Sequence, residues 1–283
     1  MMGKTIGLEP TFSACRSMRH ALRDDWQLGL LGLTLALAAS TGSVSCDQRP
    51  KDQPIPVWPC RIVGTFPHRS DAFTQGLVID EGFLYEGTGM YGRSSLCRLR
   101  LETGEVLQRC TLPEALWGEG VTVFGDRIFQ LTWQDHVGFV YDKRTFNLIR
   151  KFTYPTEGWG LTNDGHQLIM SDGTASLYFL DPNTLEIQRT VEVRDDKGAV
   201  ANLNELEFVA GRVYANIWQT DRIAVIRPED GRITAWIDLS GLKAQQPPDA
   251  DVLNGIACDP QTGRLFVTGK LWPTLYEIQV SRR

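Results

Sequence analysis

The sequence predicts an all-β protein, a five-bladed β-propeller, and the main observation is an internal repeat. From residue 57 onward, short β-rich runs alternate with turn signals about every 8 to 12 residues, and helical periodicity is almost absent. Five segments begin alike, at intervals of 44, 40, 45 and 50 residues. They are QGLVIDEGFLYEG from Gln75, EGVTVFGDRIFQL from Glu119, WGLTNDGHQLIMS from Trp159, NELEFVAGRVYAN from Asn204 and NGIACDPQTGRLFVTG from Asn254. A period of this length is typical of a propeller blade, and its regularity disfavours a β-sandwich built from the same strands.

Each copy supplies its strands in the same order. An apolar strand, a glycine turn and a second apolar strand come first, and a loop leads to a third strand. In the first four copies a further turn leads to a fourth strand, whereas the fifth copy ends at Arg283 after its third. We expect residues 58–67, WPCRIVGTFP, to supply the missing strand and so to close the ring. The predicted five-bladed propeller domain therefore spans residues 60–283.

The first 45 residues are predicted to be a signal or targeting segment. Residues 28–39 read LGLLGLTLALAA, follow a basic stretch and are short for a membrane span. Cys46 follows small residues, as a lipoprotein cleavage site does, but the usual leucine three places upstream is missing. Lipidation of Cys46, plain cleavage nearby and an uncleaved anchor therefore stay open. Residues 46–59 are Pro-rich and predict a linker, and we expect an exported protein, either periplasmic or attached to the envelope.

Export permits disulfides. The segment CRLRLETGEVLQRC predicts a hairpin that turns at Thr103-Gly104, which would place Cys97 and Cys110 directly opposite each other. Closure of the ring would bring Cys60 and Cys258 into one blade. The pattern thus predicts these two pairings, with buried thiols as the alternative.

Charge and motifs exclude several classes of function. The formal net charge is -5, and Lys and Arg are scattered between acids, so the chain offers no basic stripe to nucleic acid. The four His lack both the spacing of a zinc site and the pairing of a Ser-His-Asp system. GTGMYG at 87–92 lies between strands rather than before a helix, which argues against a dinucleotide site.

A propeller gathers corresponding loops of its blades at one end of its axis, so residues at corresponding positions should converge. The starts of the five repeats are Gln75, Glu119, Trp159, Asn204 and Asn254. The loops between second and third strands carry Tyr91, Arg93, Trp133, Asp172, Trp218, Lys270 and Trp272. An aromatic pocket with an acid, a base and amides is the usual form of a small-ligand site. Each of these residues also has a structural alternative: capping of backbone amides, packing between blades, or a solvated loop.

Several segments are distinctive enough to point to a family. They are FTQGL at 73–77, YEGTGMYGRSS at 85–95, GEG at 118–120, EGWGLT at 157–162, LNELE at 203–207, ANIWQTD at 215–221, LNGIA at 253–257 and VTGKLWP at 267–273. Together they closely resemble the plant-type glutaminyl-peptide cyclotransferases, the glutamine cyclotransferase family that also occurs in bacteria. The resemblance spans residues 60–280. It implies a five-bladed propeller that converts the N-terminal glutamine of a peptide or protein into pyroglutamate and releases ammonia.

The same resemblance implies the site residues. Glu119 corresponds to the catalytic carboxylate, with Asn204 and Lys270 as its polar partners. The implied pocket lining is Phe73, Gln75, Trp117, Trp133, Trp159 and Trp218, where Trp117 stands in place of an expected Phe. In this reading Glu119 moves a proton from the attacking amine to the leaving nitrogen, and Lys270 stabilises the developing oxyanion. We expect a monomer that requires no cofactor and no catalytic metal, although some relatives hold a structural calcium in the central channel.

Two other classes of function stay open from the residues. Oxygens of Glu119, Asn204 and Asn254 on separate blades could ligate calcium, as in a calcium-dependent propeller lactonase. An envelope scaffold could instead use the mouth to bind a peptide end without catalysis.

Overall fold

The strands of the computed structural model, which describes residues 54–281, form five sheets arranged as the blades of a propeller. The predicted all-β, five-bladed fold is confirmed. The predicted targeting segment 1–45, the lipidation of Cys46 and the linker up to residue 53 lie outside the described residues and stay predictions. Between residues 54 and 281, no helix is long and apolar enough to cross a membrane. The helix α1 (Ser240–Lys243) is a single turn.

The first two strands, β1 (Val57–Trp58) and β2 (Cys60–Pro67), belong to the sheets of blades 4 and 5. Blade 1 contains β3 (Thr74–Asp80), β4 (Phe83–Thr88), β5 (Ser95–Arg100) and β6 (Val106–Thr111). Blade 2 contains β7 (Gly118–Phe124), β8 (Arg127–Thr132), β9 (Val137–Asp142) and β10 (Leu148–Thr153). Blade 3 contains β11 (Leu161–Asn163), β12 (Leu168–Ser171), β13 (Ser176–Leu180) and β14 (Ile187–Glu192). Blade 4 contains β15 (Leu203–Val209), β16 (Arg212–Ile217), β17 (Arg222–Ile226) and β18 (Ile233–Asp238). Blade 5 contains β19 (Leu253–Cys258), β20 (Leu265–Gly269) and β21 (Thr274–Val280).

The two N-terminal strands occupy the outer edges of the last two blades. β2 pairs antiparallel with β21, so that the sheet of blade 5 has four strands in the order β19-β20-β21-β2. β1 pairs in parallel with β18 and adds a fifth strand to blade 4. Residues 57 and 58, at the end of the predicted linker, therefore lie in a sheet, where they cover part of an otherwise open edge.

The hydrophobic core consists of five clusters of buried apolar residues, one between each pair of neighbouring blades. This follows from the period of two along a strand, which sends alternate side chains to opposite faces of each sheet. Leu96, for example, lies in the cluster between blades 1 and 2, and Cys97 lies in the cluster between blades 1 and 5. The first strands of the blades contact one another around the axis, which is why their residues are buried on both faces.

Close approach of the first strands explains the glycines at their starts. A Cβ at Gly120 would lie 2.5 Å from the backbone nitrogen of Leu161, and a Cβ at Gly160 would lie 2.1 Å from the backbone oxygen of Asn204. Neither distance is sterically allowed, so these positions require glycine. Each glycine directly follows a residue that the sequence analysis places at the mouth, here Glu119 and Trp159.

Blade 4 differs, because Glu205 stands where blades 1, 2, 3 and 5 have this glycine. Its side chain is fully buried, and its two oxygens accept hydrogen bonds from the backbone N–H groups of Leu77, at 3.1 Å, and Ile256, at 2.8 Å. These donors lie in blades 1 and 5, so one carboxylate ties three blades together near the axis.

The predicted disulfides are not present in the described chain. No disulfide joins any two of Cys60, Cys97, Cys110 and Cys258. The hairpin of blade 1 turns through residues 101–104 rather than at Thr103-Gly104 alone, and a register irregularity follows at residues 98 and 99. Cys110 consequently lies opposite Leu96, while Cys97 lies opposite Arg109. A slip of one residue sends two side chains to opposite faces of a sheet, which separates the sulfur atoms of Cys97 and Cys110.

Candidate active site

A cavity of about 400 Å³ opens at the end of the propeller where the first strands begin. All nine site residues implied by the sequence line it, namely Phe73, Gln75, Trp117, Glu119, Trp133, Trp159, Asn204, Trp218 and Lys270. Gln219, Asp251 and Val252 complete the lining. The cavity thus brings together residues from all five blades.

The backbone of blades 1, 2, 4 and 5 positions these residues in an equivalent way. In blade 2 the N–H of Trp133 donates to the carbonyl of Trp117 at 3.0 Å, and in blade 5 the N–H of Lys270 donates to the carbonyl of Val252 at 3.0 Å. Each bond joins the residue just after the second strand to one just before the first. The side chains at these ends therefore project toward the same mouth.

Register irregularities at the start of four first strands redirect further side chains, three of which line the cavity. They fall at Thr74/Gly76, Gly118/Val121, Leu203/Leu206 and Leu253/Ile256. Gln75, Glu119, Asn204 and Asn254 lie within these stretches. A bulge leaves a residue out of the regular alternation and redirects its side chain, which explains how polar residues on buried strands face an open cavity.

Glu119 is the carboxylate at the floor of the cavity, and only 4% of its surface is exposed. Its Oε1 accepts a hydrogen bond of 2.8 Å from the Nε2 of Gln75, and the Oε1 of Gln75 accepts one of 3.2 Å from the Nδ2 of Asn254. Burial raises the pKa of Glu119 well above its usual value, and the charge of Glu157 raises it further. The ammonium of Lys270 and the indole N–H of Trp117 oppose this rise.

Lys270 is the cation of the cavity and is 5% exposed. Its Nζ lies 4.7 Å from the centroid of the Phe73 ring, within the range of a cation–π contact. Burial lowers the pKa of Lys270, while the charges of Glu119 and Asp251 counteract this. The cavity therefore holds an acid and a base whose pKa values are both displaced from the values the side chains have in water, a property that clusters at functional sites.

Asn204 faces the cavity with an unused acceptor. Its side chain is 3% exposed, and its Oδ1 has no hydrogen-bond partner within residues 54–281. Its backbone oxygen accepts a bond of 2.7 Å from the Oγ of Ser171, which holds the start of β15 in place. A buried acceptor without a partner costs free energy, and a ligand N–H would satisfy it.

The aromatic side chains form two edge-to-face groups. In the first, Trp117 contacts Phe73 at 5.6 Å and Trp133 at 5.9 Å between ring centroids. In the second, Trp159 contacts Trp218 at 5.6 Å. Edge-to-face geometry is favourable for aromatic pairs, so these rings form stable walls on the cavity.

Some residues lie elsewhere than the sequence indicated. Trp272 has no exposed surface and donates its indole N–H to the backbone oxygen of Asp251, so it belongs to the core beneath the mouth. Asn254 is also fully buried and bonds Gln75 and the carbonyl of Thr74 from below the cavity. Asp172 accepts hydrogen bonds from its neighbours Thr174 and Tyr178.

Three residues at or beside the cavity were not predicted from the sequence, namely Glu157, Gln219 and Asp251. Gln219 and Asp251 line the cavity, and Glu157 accepts hydrogen bonds from the indoles of Trp133 and Trp159. Asp251 directly precedes the fifth repeat and Gln219 directly follows Trp218, so alignment of the repeats, extended by a few residues, would have found both. Glu157 lies two residues before the third repeat, so the same extension would have reached it, but the sequence gives no sign of its bond to Trp133 in the neighbouring blade.

The described residues contain no group of three or more His, Cys, Asp or Glu side chains that could hold a metal ion. Calcium takes six to eight oxygen ligands, and near the axis both oxygens of Glu205 already accept backbone N–H groups. In the cavity, Oε1 of Glu119 is bonded to Gln75. Of the oxygens that a calcium-dependent lactonase would use, Oε1 of Glu119 is therefore already bonded, whereas Oδ1 of Asn204 and Oδ1 of Asn254 have no hydrogen-bond partner among the described residues.

Comparison with known proteins places this geometry in a family. A sequence model described as glutamine cyclotransferase matches residues 33–280. Over 227 residues the chain is 44% identical to glutaminyl-peptide cyclotransferase of Arabidopsis thaliana. The aligned region covers 78% of this chain and 71% of that protein. The crystal structure of Myxococcus xanthus glutaminyl cyclase matches with a TM-score of 0.75 and 35% identity, covering 81% of this chain and 99% of that chain. The resemblance seen in the motifs is confirmed, and neither alternative function is favoured. The chain belongs to the glutamine cyclotransferase family.

Proposed function

We propose that Glu119, Lys270 and Asn204 carry out the reaction of this glutaminyl-peptide cyclotransferase. In that reaction the α-amino nitrogen of an N-terminal glutamine attacks the carbon of its own γ-amide. The bond from this carbon to the amide nitrogen then breaks, ammonia leaves, and a pyroglutamyl ring remains. The observation that carries the proposal is a buried carboxylate and a buried ammonium that share one aromatic cavity.

Glu119 suits the transfer of a proton in both directions. The α-amine has a pKa of about 7.7 to 8.0, whereas a carboxylate in water has one near 4.3 and would be a weak base toward it. Because burial raises the pKa of Glu119, the two values approach each other, which is the condition for efficient general acid–base catalysis. Glu119 would accept a proton from the attacking amine and deliver it to the departing nitrogen. The bond from Gln75 holds the carboxylate in place meanwhile.

Lys270 and Asn204 would act on the γ-amide. As the ring closes, negative charge develops on the amide oxygen, and the buried ammonium of Lys270 would stabilise it without solvent screening. The unpartnered Oδ1 of Asn204 would accept an N–H of the same amide and set its orientation. A free donor for the oxygen and a free acceptor for the nitrogen are what recognition of a primary amide requires.

The aromatic walls would hold the substrate in a bent conformation. Attack within one residue needs no second reactant, so the main requirement is that the amine and the γ-carbon lie within near-attack distance. The rings of Phe73, Trp117, Trp133, Trp159 and Trp218 supply the apolar surface that lines the cavity. The substrate would be a peptide or protein with an N-terminal glutamine.

Ammonia release from a short Gln-initiated peptide by the purified protein tests the proposal, with an Asn-initiated peptide of otherwise identical sequence as control. Asparagine is one methylene shorter and cannot form the five-membered ring. We expect release from the glutamine peptide alone. Tight binding without release by a folded protein would instead support a non-catalytic peptide-binding propeller.

We further propose that catalysis needs no metal or other cofactor, because the residues of the cavity supply both the proton-transfer group and the positive charge. Activity should persist after treatment with a strong chelator followed by its removal. Activity that is lost and then restored by calcium would contradict this part of the proposal.

A further inference from the structure

Glu157 lies between β10 and β11, two residues before Trp159, and accepts three hydrogen bonds. Its Oε2 accepts the indole N–H of Trp133 at 2.8 Å and the indole N–H of Trp159 at 3.0 Å. Its Oε1 accepts a bond of 3.0 Å from the side-chain amide of Gln134. One carboxylate oxygen therefore fixes two indole rings from different blades.

These two indoles belong to separate groups in the aromatic wall. Trp133 ends the series that runs through Trp117 to Phe73, and Trp159 forms a pair with Trp218. No ring contact between the two groups is needed, because the carboxylate of Glu157 joins them. Hydrogen bonds to an ionised acceptor are about twice as strong as those between neutral groups. The carboxylate of Glu157 therefore holds the two indoles firmly relative to each other.

We propose, on the basis of the cyclisation argued above, that Glu157 is a positioning residue that holds Trp133 and Trp159 around the glutaminyl side chain of the substrate. It need not touch the reacting atoms. Its effect passes through the two indoles, whose orientation sets the width of the cavity and thus the bent conformation of the substrate.

The charge of Glu157 has a second effect, on Glu119. Partial burial raises the pKa of Glu157, but its hydrogen bonds from Trp159, Gln134 and Trp133 outweigh this, so the pKa lies below its usual value and the group is ionised at neutral pH. That negative charge adds to the rise in the pKa of Glu119.

The other charged or titratable groups that act on this pair lie on three loops. Lys270 acts on Glu119, His136 acts on Glu157, and the phenol of Tyr154 interacts with Glu119. Lys270 opposes the effect of Glu157 on Glu119, and none of these groups replaces its negative charge.

Two substitutions separate the geometry from the charge. Glu157→Gln keeps the chain length and a carbonyl oxygen for the indoles but removes the charge. Glu157→Ala removes both. Gln134→Ala is the matched control, because it deletes the third partner of the same carboxylate and leaves the two indole bonds intact.

Steady-state kinetics with the full-length protein and a Gln-initiated peptide should distinguish the variants. We expect Glu157→Ala to raise KM by about tenfold, because the two indoles that position the substrate would each lose a charge-assisted hydrogen bond. Glu157→Gln should raise KM by less than about threefold, since a neutral acceptor preserves the arrangement at reduced strength. Gln134→Ala should behave as the wild type.

The pH profile supplies a readout that a purely structural role would not move. Both Glu157 variants should shift the acid limb of kcat/KM to lower pH, because removal of a nearby negative charge lowers the pKa of Glu119. A folded Glu157→Ala protein with unchanged KM and unchanged acid limb would overturn the proposal. An equal rise of KM in both variants without a shift of the acid limb would also overturn it. If Glu157→Ala does not fold, the acid limb of kcat/KM in Glu157→Gln is the deciding measurement.

Failure of this inference is distinct from failure of the proposed function. The wild-type protein is assayed first, and absence of ammonia release there refers to the cyclisation itself. The inference about Glu157 is judged only from ratios to an active wild type.

Discussion

Substitution of Glu119 by glutamine tests the proposed chemistry most directly. Glutamine has nearly the same shape and keeps a carbonyl oxygen that can accept the 2.8 Å bond from Gln75. It also removes a carboxyl group whose burial disfavours its ionised form. We therefore expect Glu119→Gln to fold at least as stably as the wild type, and to keep the aromatic cavity that determines KM.

The expected loss is in turnover. A positioned general acid–base group contributes about 10²- to 10⁴-fold, and Glu119 would serve both the attack and the departure of ammonia. We expect kcat to fall by about 10³- to 10⁴-fold, which corresponds to about 4 to 5 kcal/mol of transition-state stabilisation. A second signature concerns Lys270, since the charge of Glu119 raises its pKa. Without that charge, the basic limb of the residual activity should move to lower pH.

The assay is ammonia release with the Gln-initiated peptide, alongside a thermal melt of each protein. Glu207→Gln is the matched control, because Glu207 is a buried carboxylate with a raised pKa that does not line the cavity. It should retain wild-type turnover. Turnover of Glu119→Gln within tenfold of the wild type, in a folded protein, would remove Glu119 from the mechanism.

Three further outcomes follow from the same geometry. Lys270→Met should lower kcat by about 10²- to 10³-fold with little change in KM, as expected for loss of an oxyanion donor, and an unchanged kcat would refute that role. Burial raises the pKa of Glu207 to about 8, above its unfolded value near 4.5. The contribution of this carboxyl group to the free energy of unfolding is therefore fully present below pH 4.5, and it is lost as the pH rises through 8. That loss amounts to about 5 kcal/mol at most. Urea unfolding at pH 5 and pH 9 should show a smaller loss in Glu207→Gln than in the wild type, and Glu119 and Glu205, whose pKa values are also raised, should account for the loss that remains. Gly160→Ala should lower the free energy of unfolding, followed by thermal melt, by about 1 to 3 kcal/mol and should also lower kcat, because its Cβ would lie 2.1 Å from the backbone oxygen of Asn204. Gly241→Ala is the control and should leave both unchanged, since nothing lies within 4 Å of a Cβ there.

The fold and several of the residues that line the cavity were predictable from the sequence because of the internal repeat. A period of 40 to 50 residues identifies the blades, and equivalent positions in a propeller meet at one mouth by symmetry. Gln75, Glu119, Trp159 and Asn204 stand at such positions and all line the cavity. Local glycines at 76, 120 and 160 mark the same places, since the first strands approach closely there.

Register was not predictable in the same way. The expected pairing of Cys97 with Cys110 assumed a two-residue turn and an unbroken ladder, whereas the turn takes four residues and an irregularity follows. Such details depend on how the neighbouring blade packs against the hairpin. Because side chains alternate along a strand, an error of one residue reverses the face on which each of them lies.

The sequence by itself determined the architecture and the chemical types present at the mouth, since both depend on patterns that recur along the chain. Only the tertiary structure decided the environment of those groups. The raised pKa of Glu119, the unpartnered Oδ1 of Asn204 and the junction of two indoles at Glu157 all arise from contacts between separate blades. Burial and hydrogen-bond geometry are properties of three-dimensional packing. The bond between Glu157 and Trp133, for example, joins residues of separate blades that no local pattern pairs.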